Sequence, residues 1–452
     1  MRFAVKSKNV LTSTGLKSAI ISIEDGLIKD VADYTFEFND LDFKIMDYGN
    51  LVIMPGLTDT HVHINEPGRT EWEGFETATK SAAAGGITML VDMPLNSSPV
   101  TTTVNSLNKK IEAAKNKLYV DCGFYGGVIP GNTDEIEGLI QNGVLGFKAF
   151  MVHSGIDEFP NVNEDDLRKA LTKLKSASHL QIPLLVHAEL QINMPHIRNY
   201  NECSFNSFTE TRPKELENNA IKLLIKLCRE FNYPIHIVHL SSSEAIELIK
   251  AAKSEGLKIT AETCPHYLFF SSEEIPDNDT RFKCTPPIRN NANREKLWSA
   301  VKEGVINFIV SDHSPCNPEL KFSEEGNFEK AWGGISSLQL GLSIVWTEAK
   351  VRGFNIQDIS RLMSRNTASF IGLGDKKGRI EIGYDADLVI FDPDKKFIVN
   401  EDQLLHKHKV TPYSGKELFG IVEETYLKGI KIFENTKIIS KPRGQIILTS
   451  TI

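Results

Sequence analysis

The sequence comprises 452 residues, 41% of them hydrophobic and 24% charged, with a formal net charge of -8 at pH 7. This is ordinary globular composition, and the acidic balance without a cluster of consecutive Lys and Arg argues against nucleic acid as a partner. Because the sequence has neither a stretch of about 18 consecutive apolar residues nor an N-terminal apolar block before a cleavage site, it predicts no membrane span and no secretory signal.

Six cysteines are scattered along the chain without a CxxC pair. In a chain of this size, such spacing is typical of free thiols in a reducing compartment rather than of a disulfide framework. We therefore expect a cytoplasmic protein with reduced cysteines.

Both ends of the chain show short alternating apolar segments separated by Gly and Asp turns, which is typical of strands. These predicted strands are Phe3–Val5, Ala19–Glu24, Leu27–Val31 and the segment from Gly378 to about Asp392. Independent edge strands would also explain the pattern, but an isolated few-stranded unit is marginally stable. We therefore predict that residues 1–50 and 378–452 form one small composite β domain.

The middle of the chain repeats a different unit, an apolar β-branched segment followed by a helical pattern such as Glu164–Ser178 or Asn218–Phe231. Near-continuous apolar runs are what strands buried on both faces require. The predicted strands are Leu51–His63, Gly86–Met93, Tyr119–Val128, Gly143–Met151, Ile182–Ala188, Ile235–Leu240, Ile259–Thr263 and Val305–Asp312. Eight such units predict an α/β fold with a (β/α)8 TIM-like barrel over residues 51–377.

The first predicted barrel strand ends in His61-Val62-His63. Residues two apart on a strand point to the same side, so both imidazoles should face the carboxyl-terminal mouth, where barrel enzymes place their active sites. Neutral imidazole is a ligand of zinc and similar metals. Taken alone, the pair is a weak indication of a metal site, and two hydrogen-bonded histidines at a loop entrance are the more common explanation.

The fourth predicted strand carries Lys148 among apolar neighbours, Phe147–Met151. A buried lysine charge is costly, so the pKa of Lys148 should fall. In one interpretation the ammonium reaches solvent at the barrel rim. In the other, carbon dioxide carboxylates the amine, and the resulting N6-carboxylysine bridges two metal ions.

The fifth and sixth predicted strands end in His187 and His239. A lone histidine on an apolar strand is usually a satisfied core residue, but two at the ends of neighbouring strands favour metal ligation. His236 lies an odd number of positions from His239, so we interpret it as a structural residue on the helix side of the strand.

Asp312 follows the eighth predicted strand. An aspartate before Ser-Pro is also a common turn residue. However, core packing does not explain why polar side chains of this kind stand at the ends of five predicted barrel strands. The predicted metal ligands are His61, His63, Lys148, His187, His239 and Asp312.

Such a set suits hydrolysis of an amide, for which water is a poor nucleophile. Two divalent cations lower the pKa of bound water from about 15.7 to near 7 and polarise the carbonyl. Asp312 would accept the proton of the attacking water and deliver it to the departing nitrogen.

These residues resemble the cyclic amidohydrolases, which include dihydroorotase, dihydropyrimidinase (hydantoinase) and allantoinase. The resemblance extends from about Met54 to Asp387 and includes Pro55–His63 and Gly383–Leu388. It implies a barrel with a β-sandwich formed from both termini.

Further segments resemble the allantoinase branch. They are His63–Gly74, Asp92–Ser97, His153–Gly155, Glu158–Pro160, Asp312–Cys316 and Ala331–Ser337. Dihydroorotases carry Arg two residues after the second histidine of the HxH pair, to bind a carboxylate, whereas this chain has Asn65. An amide can donate to and accept from a neutral ureido ring, while an unpaired buried Arg would be costly. Dihydropyrimidinases place a Tyr shortly after the bridging lysine, and this chain has none in Met151–Ser154.

The resemblance implies hydrolysis of allantoin to allantoate by an enzyme with two divalent metal ions per subunit. Zinc is the first candidate for these ions, and the ligands are also compatible with cobalt, manganese or iron. The resemblance also implies carbon dioxide for carboxylation of Lys148, a homotetramer, and substrate contacts from Asn65, Asn96 and Ser154. Asn96 before Ser-Ser-Pro is equally well explained as a turn residue. His266 is either a pocket or a structural residue. Another cyclic amidohydrolase and a non-catalytic scaffold are the alternatives, and the complete ligand set argues against the scaffold.

Overall fold

The computed structural model describes residues 2–36, 44–177, 182–193, 197, 199–321 and 326–449. Its strands are β1 (Arg2–Thr12), β2 (Gly15–Glu24), β3 (Leu27–Asp33), β4 (Lys44–Asp47), β5 (Val52–Pro55), β6 (Leu57–Val62), β7 (Ile87–Asp92), β8 (Asp121–Phe124), β9 (Gly126–Gly127), β10 (Phe147–Phe150), β11 (Leu184–His187), β12 (Ile235–Ile237), β13 (Ile259–Thr263), β14 (Phe308–Ile309), β15 (Leu388–Ile398), β16 (Glu417–Leu427), β17 (Ile430–Glu434) and β18 (Lys437–Ile438).

Its α-helices are α1 (Phe75–Ala84), α2 (Val104–Ala114), α3 (Glu135–Gln141), α4 (Glu164–Ala177), α5 (Phe205–Glu210), α6 (Lys214–Phe231), α7 (Ile246–Ser254), α8 (Pro265–Phe269), α9 (Asn291–Glu303), α10 (Pro318–Lys321), α11 (Gly341–Val351), α12 (Ile356–Ser360) and α13 (Asn366–Phe370). A π-helical turn, Arg361–Arg365, joins the last two. None of the helices in the described ranges is long and apolar enough to cross a membrane.

The two ends of the chain form one nine-stranded sheet. Its strand order is β18-β17-β16-β15-β5-β1-β2-β3, with β4 paired to β1. β5 joins the halves, because it runs parallel to β1 and antiparallel to β15, with Pro55 opposite Leu388. Apolar side chains from both halves, including Val5 and Ile390, share one buried cluster. The predicted β-sandwich domain from both termini is confirmed.

The central strands β6 to β14 close into a barrel of parallel strands. The third barrel strand is interrupted at Tyr125 and so consists of two short strands, β8 and β9. Closure between the last strand and the first is a parallel bridge from Val62 to His313, supported by a hydrogen bond from His63 N to His313 O of 2.9 Å. The (β/α)8 barrel predicted from the repeated apolar segments is confirmed.

The barrel helices cover its outside, and α6 shows why they form. Its buried residues Leu216, Ala220, Ile221 and Leu224 have the spacing of one helix face, and this face packs on the barrel. Acidic residues occupy the first turn, and the helix ends at Asn232, whose φ of 48° suits the left-handed terminating position. Inside the barrel, a second apolar cluster includes Met89, Tyr125, Leu185 and Val238.

Several predicted elements have different limits in the structure. The predicted strand Leu51–His63 is two strands, since β5 belongs to the terminal sheet and only β6 to the barrel. The predicted strand from Gly378 begins only at Leu388. The predicted helix Glu164–Ser178 is α4, and Ser178 itself lies outside the described residues.

One C-terminal segment leaves the sheet and runs along the barrel. Gly444 N donates to Leu118 O and Ile447 N donates to Cys122 O, each at 2.9 Å. Residues of the predicted sandwich segment 378–452 therefore also pair with the edge of β8. The division into 1–50 plus 378–452 and 51–377 stays a prediction. All six cysteines are free thiols.

Candidate metal centre and active site

His61 and His63 lie at the carboxyl end of β6, and both side chains are buried. Their Nε2 atoms lie 3.2 Å and 3.5 Å from Oδ1 of Asp312. Nδ1 of His61 is hydrogen bonded to Oε1 of Glu262, a buried carboxylate from β13. Because the carboxylate fixes that nitrogen as the proton donor, the other nitrogen is free to act as a ligand. Burial lowers the pKa of His61 well below its ordinary value.

Asp312 follows β14 and reaches across to β6. Its backbone has a φ of 46°, a region that few residues other than glycine adopt, and this turns the carboxylate toward the histidines. Burial alone would raise the pKa of Asp312, but His61, His63 and His239 hold it well below its usual range. The group is therefore an anion held among imidazoles.

His187 and His239 come from β11 and from the residues after β12, and their rings are 4.6 Å apart. Nε2 of His187 donates to Glu189 Oε2 at 2.7 Å, and Arg212 Nη1 reaches the same oxygen at 2.6 Å. Although burial raises the pKa of Glu189, Arg212 and His187 bring it to about 2. Nδ1 of His187 is then the nitrogen available to a ligand.

The backbone at His239 has a φ of 39°, so the strand's alternation does not continue to this residue. Within the described ranges, its buried Nδ1 has no hydrogen-bond partner. His236 faces the barrel interior instead of the helices, because Nε2 donates to Glu262 Oε2 at 3.0 Å. The predicted direction of His236 was wrong for this reason, whereas its interpretation as structural agrees with these bonds.

Lys148 projects from β10 into the same space and is completely buried. Its Nζ has no hydrogen-bond partner among the residues that the structure describes, and it lies 4.8 Å from the ring centre of Phe150. Burial lowers the pKa of Lys148 to about 8. A buried amine without an acceptor needs a further group to satisfy it.

One cleft brings these side chains together. It is lined by all six predicted ligands and by two of the three predicted substrate contacts; these residues are His61, His63, Lys148, His187, His239, Asp312, Asn96 and Ser154. Thr285, Ser314 and Trp332 also line the cleft. The rings of Trp332 and Trp72 meet edge to face with their centroids 4.7 Å apart, which holds Trp332 in place.

The predicted substrate residues differ in what they offer the cleft. Asn96 donates from Nδ2 to His63 Nδ1 at 3.3 Å, and its buried Oδ1 has no partner within the described ranges. Ser154 Oγ donates to Phe159 O at 2.7 Å. Asn65 does not line the cleft, because its Nδ2 donates to Pro315 O at 3.1 Å and ties two loops together. Its buried Oδ1 has no partner among the described residues, and its role as a substrate contact stays a prediction.

The geometry fits a metal ion. Ligand atoms of His61, His63 and Asp312 lie within 4.8 Å of one another, and all three residues are buried. Two further donors, His239 Nδ1 and Lys148 Nζ, are buried beside them without partners in the described part of the chain. Imidazole and carboxylate are ligands that zinc and related divalent ions prefer.

Residues behind the ligands escaped the sequence analysis. Glu262 lies in β13 beside two threonines, so no apolar run marks it as buried, and only the structure shows its bonds to His61 and His236. Glu189 lies two residues after His187, but only the structure shows that it pairs with Arg212. His266, by contrast, was considered from the sequence as either a pocket or a structural residue; it is buried close to Cys264 and Asp312 and is not among the residues that line the cleft.

Comparisons with known proteins identify the family of this chain. Residues 52–430 match the profile described as the amidohydrolase family. The chain is 46% identical to "Probable allantoinase 2" of Dictyostelium discoideum, over 99% of this chain and 93% of that protein. It is 43% identical to the allantoinase of Streptomyces avermitilis, over 99% and 98%. Among solved structures, the L-hydantoinase (dihydropyrimidinase) of Arthrobacter aurescens superposes with a TM-score of 0.91 at 28% identity, over 99% and 100%.

Proposed function

Because the chain belongs to the amidohydrolase family, we propose that it hydrolyses the ring amide of allantoin to give allantoate, a step of purine breakdown. The curated relatives named as allantoinases match it from end to end. The observation that carries the proposal is the convergence of six side chains from five barrel strands on one cleft. Cyclic amide hydrolysis by a metal centre accounts for each of them.

The six residues would hold two divalent ions, with zinc as the first candidate and cobalt, manganese or iron as alternatives. Bound there, such ions would lower the pKa of a water molecule toward 7 and polarise the ring carbonyl. The protein's own contribution is to keep the imidazoles neutral and to orient their ligand nitrogens toward the metal site. Glu262 and Glu189 do this by accepting the outward protons of His61 and His187.

Lys148 would join the ligands as N6-carboxylysine. Support for this comes from its burial and from an Nζ that finds no acceptor in the described residues. Reaction with carbon dioxide forms a bond from Nζ to the carbon and releases one proton, and the product is an anion. That anion offers two oxygens to the cations, where an ammonium would repel them.

Asp312 would move the proton. One of its oxygens faces His61 and His63, which leaves the other for the proton of the attacking water. Because the carboxylate is ionised, that oxygen can accept the proton, and the resulting acid can then protonate the departing ring nitrogen. Asn96 and Ser154 stay our proposed substrate contacts because both line the cleft.

Hydrolysis of other hydantoins or dihydropyrimidines is the second candidate. The superposition on an L-hydantoinase favours it, since the two chains share the whole fold. We also propose a cytoplasmic protein, because its cysteines are scattered without a CxxC pair, and a homotetramer, because the resemblance implies one. Light scattering of the purified protein would test the oligomeric state.

Turnover of allantoin, hydantoin, dihydrouracil and dihydroorotate by one metal-analysed preparation tests the proposal. We expect allantoin to give the largest kcat/KM and the sample to contain close to two ions per subunit. If dihydroorotate or a hydantoin gives the larger kcat/KM, that compound is the substrate and the proposal of allantoin is wrong. A protein purified from metal-supplemented medium without bound metal or turnover would instead be a scaffold.

A further inference from the structure

A second cleft lies at the other end of the barrel, at its junction with the terminal sheet. Its volume is about 380 Å³, within the range of small-molecule sites. Its walls come from the end of β1, from Pro55, from α12 with the π-helical turn, and from residues 378–381. Pro55 and His61 are separated by the length of β6, about 20 Å at 3.3 Å per residue, so this cleft is separate from the active site.

Three arginines line it, namely Arg361, Arg365 and Arg379. Arg361 and Arg365 are four residues apart on the helical turn, a spacing that places side chains on one face. The guanidinium of Arg365 is exposed and has no acceptor within hydrogen-bonding distance in the described ranges. Helices with π-type turns occur frequently at functional sites.

The other two guanidiniums are only loosely paired. Arg361 Nη2 lies 3.5 Å from Asp358 Oδ1, and Arg379 Nη1 lies 3.3 Å from Glu381 Oε1. Charge-assisted pairs are normally 2.7–2.9 Å long. The Nε of Arg379 is buried and has no partner among the described residues. The three cations thus keep unsatisfied donors, and they outnumber the two carboxylates.

Gly378 holds Arg379 beside the turn. Its φ is 83°, and a Cβ there would lie 2.7 Å from Ser364 O and 2.9 Å from Arg365 Cα. No other residue type would allow this approach of the two segments. The arginines are therefore brought together by backbone contact and not by chance rotamers.

We propose that this cleft binds a small organic anion that carries a phosphate or carboxylate group. Guanidinium forks match the geometry of both oxyanions. Apolar lining from Leu11 and Ile380 and the amide of Gln357 would contact the body of the ligand. Inorganic phosphate and malonate are suitable probes, because the first presents only phosphate oxygens and the second only carboxylates, without the rest of the ligand.

Calorimetric titration of the full-length protein with each probe, at ionic strength held constant with sodium chloride, tests the site. The variant is the pair Arg361→Gln with Arg365→Gln, and the matched control is Arg443→Gln, an exposed arginine elsewhere. We expect the pair to weaken binding of the better probe at least about tenfold, and the control to leave it unchanged. Tighter phosphate binding assigns a phosphorylated ligand, and tighter malonate binding a carboxylate.

Anion binding at the catalytic metals would persist in the paired variant, because those ligands are untouched. Equal affinity in the wild type and the paired variant would therefore overturn the proposal, as would no heat from either probe. The melting temperature in chloride alone verifies that the variant is folded. Electron density for the anion between Arg361 and Arg365 after soaking would locate it directly.

Discussion

Glu262 is hydrogen bonded to Nδ1 of His61, and its other oxygen accepts a hydrogen bond from His236. One carboxylate thus fixes the protonated nitrogen of two imidazoles, and it leaves Nε2 of His61 facing Asp312 at 3.2 Å. An amide has only one acceptor oxygen and cannot replace it for both rings.

Glu262→Gln should therefore weaken metal binding by about tenfold to a hundredfold, because one ring must take the opposite tautomer. Metal titration with a competing chelator measures this, and the exposed Glu303→Gln serves as the control. Unchanged metal affinity with a normal melting temperature would show that Glu262 does not orient His61.

Lys148→Ala should lose both bound metal and turnover, since the lysine is buried among the ligands with its Nζ unpartnered in the described residues. Acetate or propionate should restore part of the activity by supplying a carboxylate in the vacated space. Elemental analysis and an allantoin assay on one sample measure both effects. Lys222→Ala, on an exposed helix face, should behave as wild type, and full activity in the Lys148 variant would remove the carboxylated lysine from the mechanism.

Most of the candidate site could be predicted from the residues at the ends of the barrel strands. Local alternation places His61 and His63 on one side of β6, and an apolar neighbourhood marks Lys148 as buried. Both inferences use only the period of a strand and the cost of burying charge.

What escaped prediction depends on contacts between distant segments or on backbone geometry. The bond between His61 and Glu262 joins residues 201 positions apart. At His239 and Asp312 the positive φ values redirect the side chains against the strand alternation, and no residue-type signal announces them. Asn65 fits the expected chemistry, but the carbonyl of Pro315 takes its donor.

The stability of the protein should fall as the pH rises from about 5 to 8, in part because of Glu217. Burial raises the pKa of this carboxyl from 4.5 to about 7, against the opposing effect of Arg289. The folded state therefore keeps a proton that the unfolded chain releases, so this stabilisation is complete below pH 4.5 and is lost as the pH rises through about 7.

Glu217→Gln removes this titration while keeping an acceptor for the backbone N–H groups of Ser241 and Ser242. The melting temperature of the variant, measured by calorimetry relative to wild type, should rise by a few degrees between pH 5 and pH 8. This corresponds to at most about 3 kcal/mol. A constant difference across that range would mean that Glu217 is already ionised in the folded protein at pH 5.

Lys377 joins the barrel to the terminal sheet through a buried charge cluster. Its Nζ lies 3.0 Å from Asp121 of β8, 2.9 Å from Asp385 and 2.6 Å from Asp387. Lys377→Met should destabilise the protein by about 3–5 kcal/mol, because it leaves the buried carboxylate of Asp387 without its cation and Asp121 with only Lys428. Lys250→Met removes an exposed pair with Glu303 and should cost less than about 1 kcal/mol. Chemical denaturation of both variants compares them, and equal losses would mean that the cluster at the junction contributes no more than a surface pair.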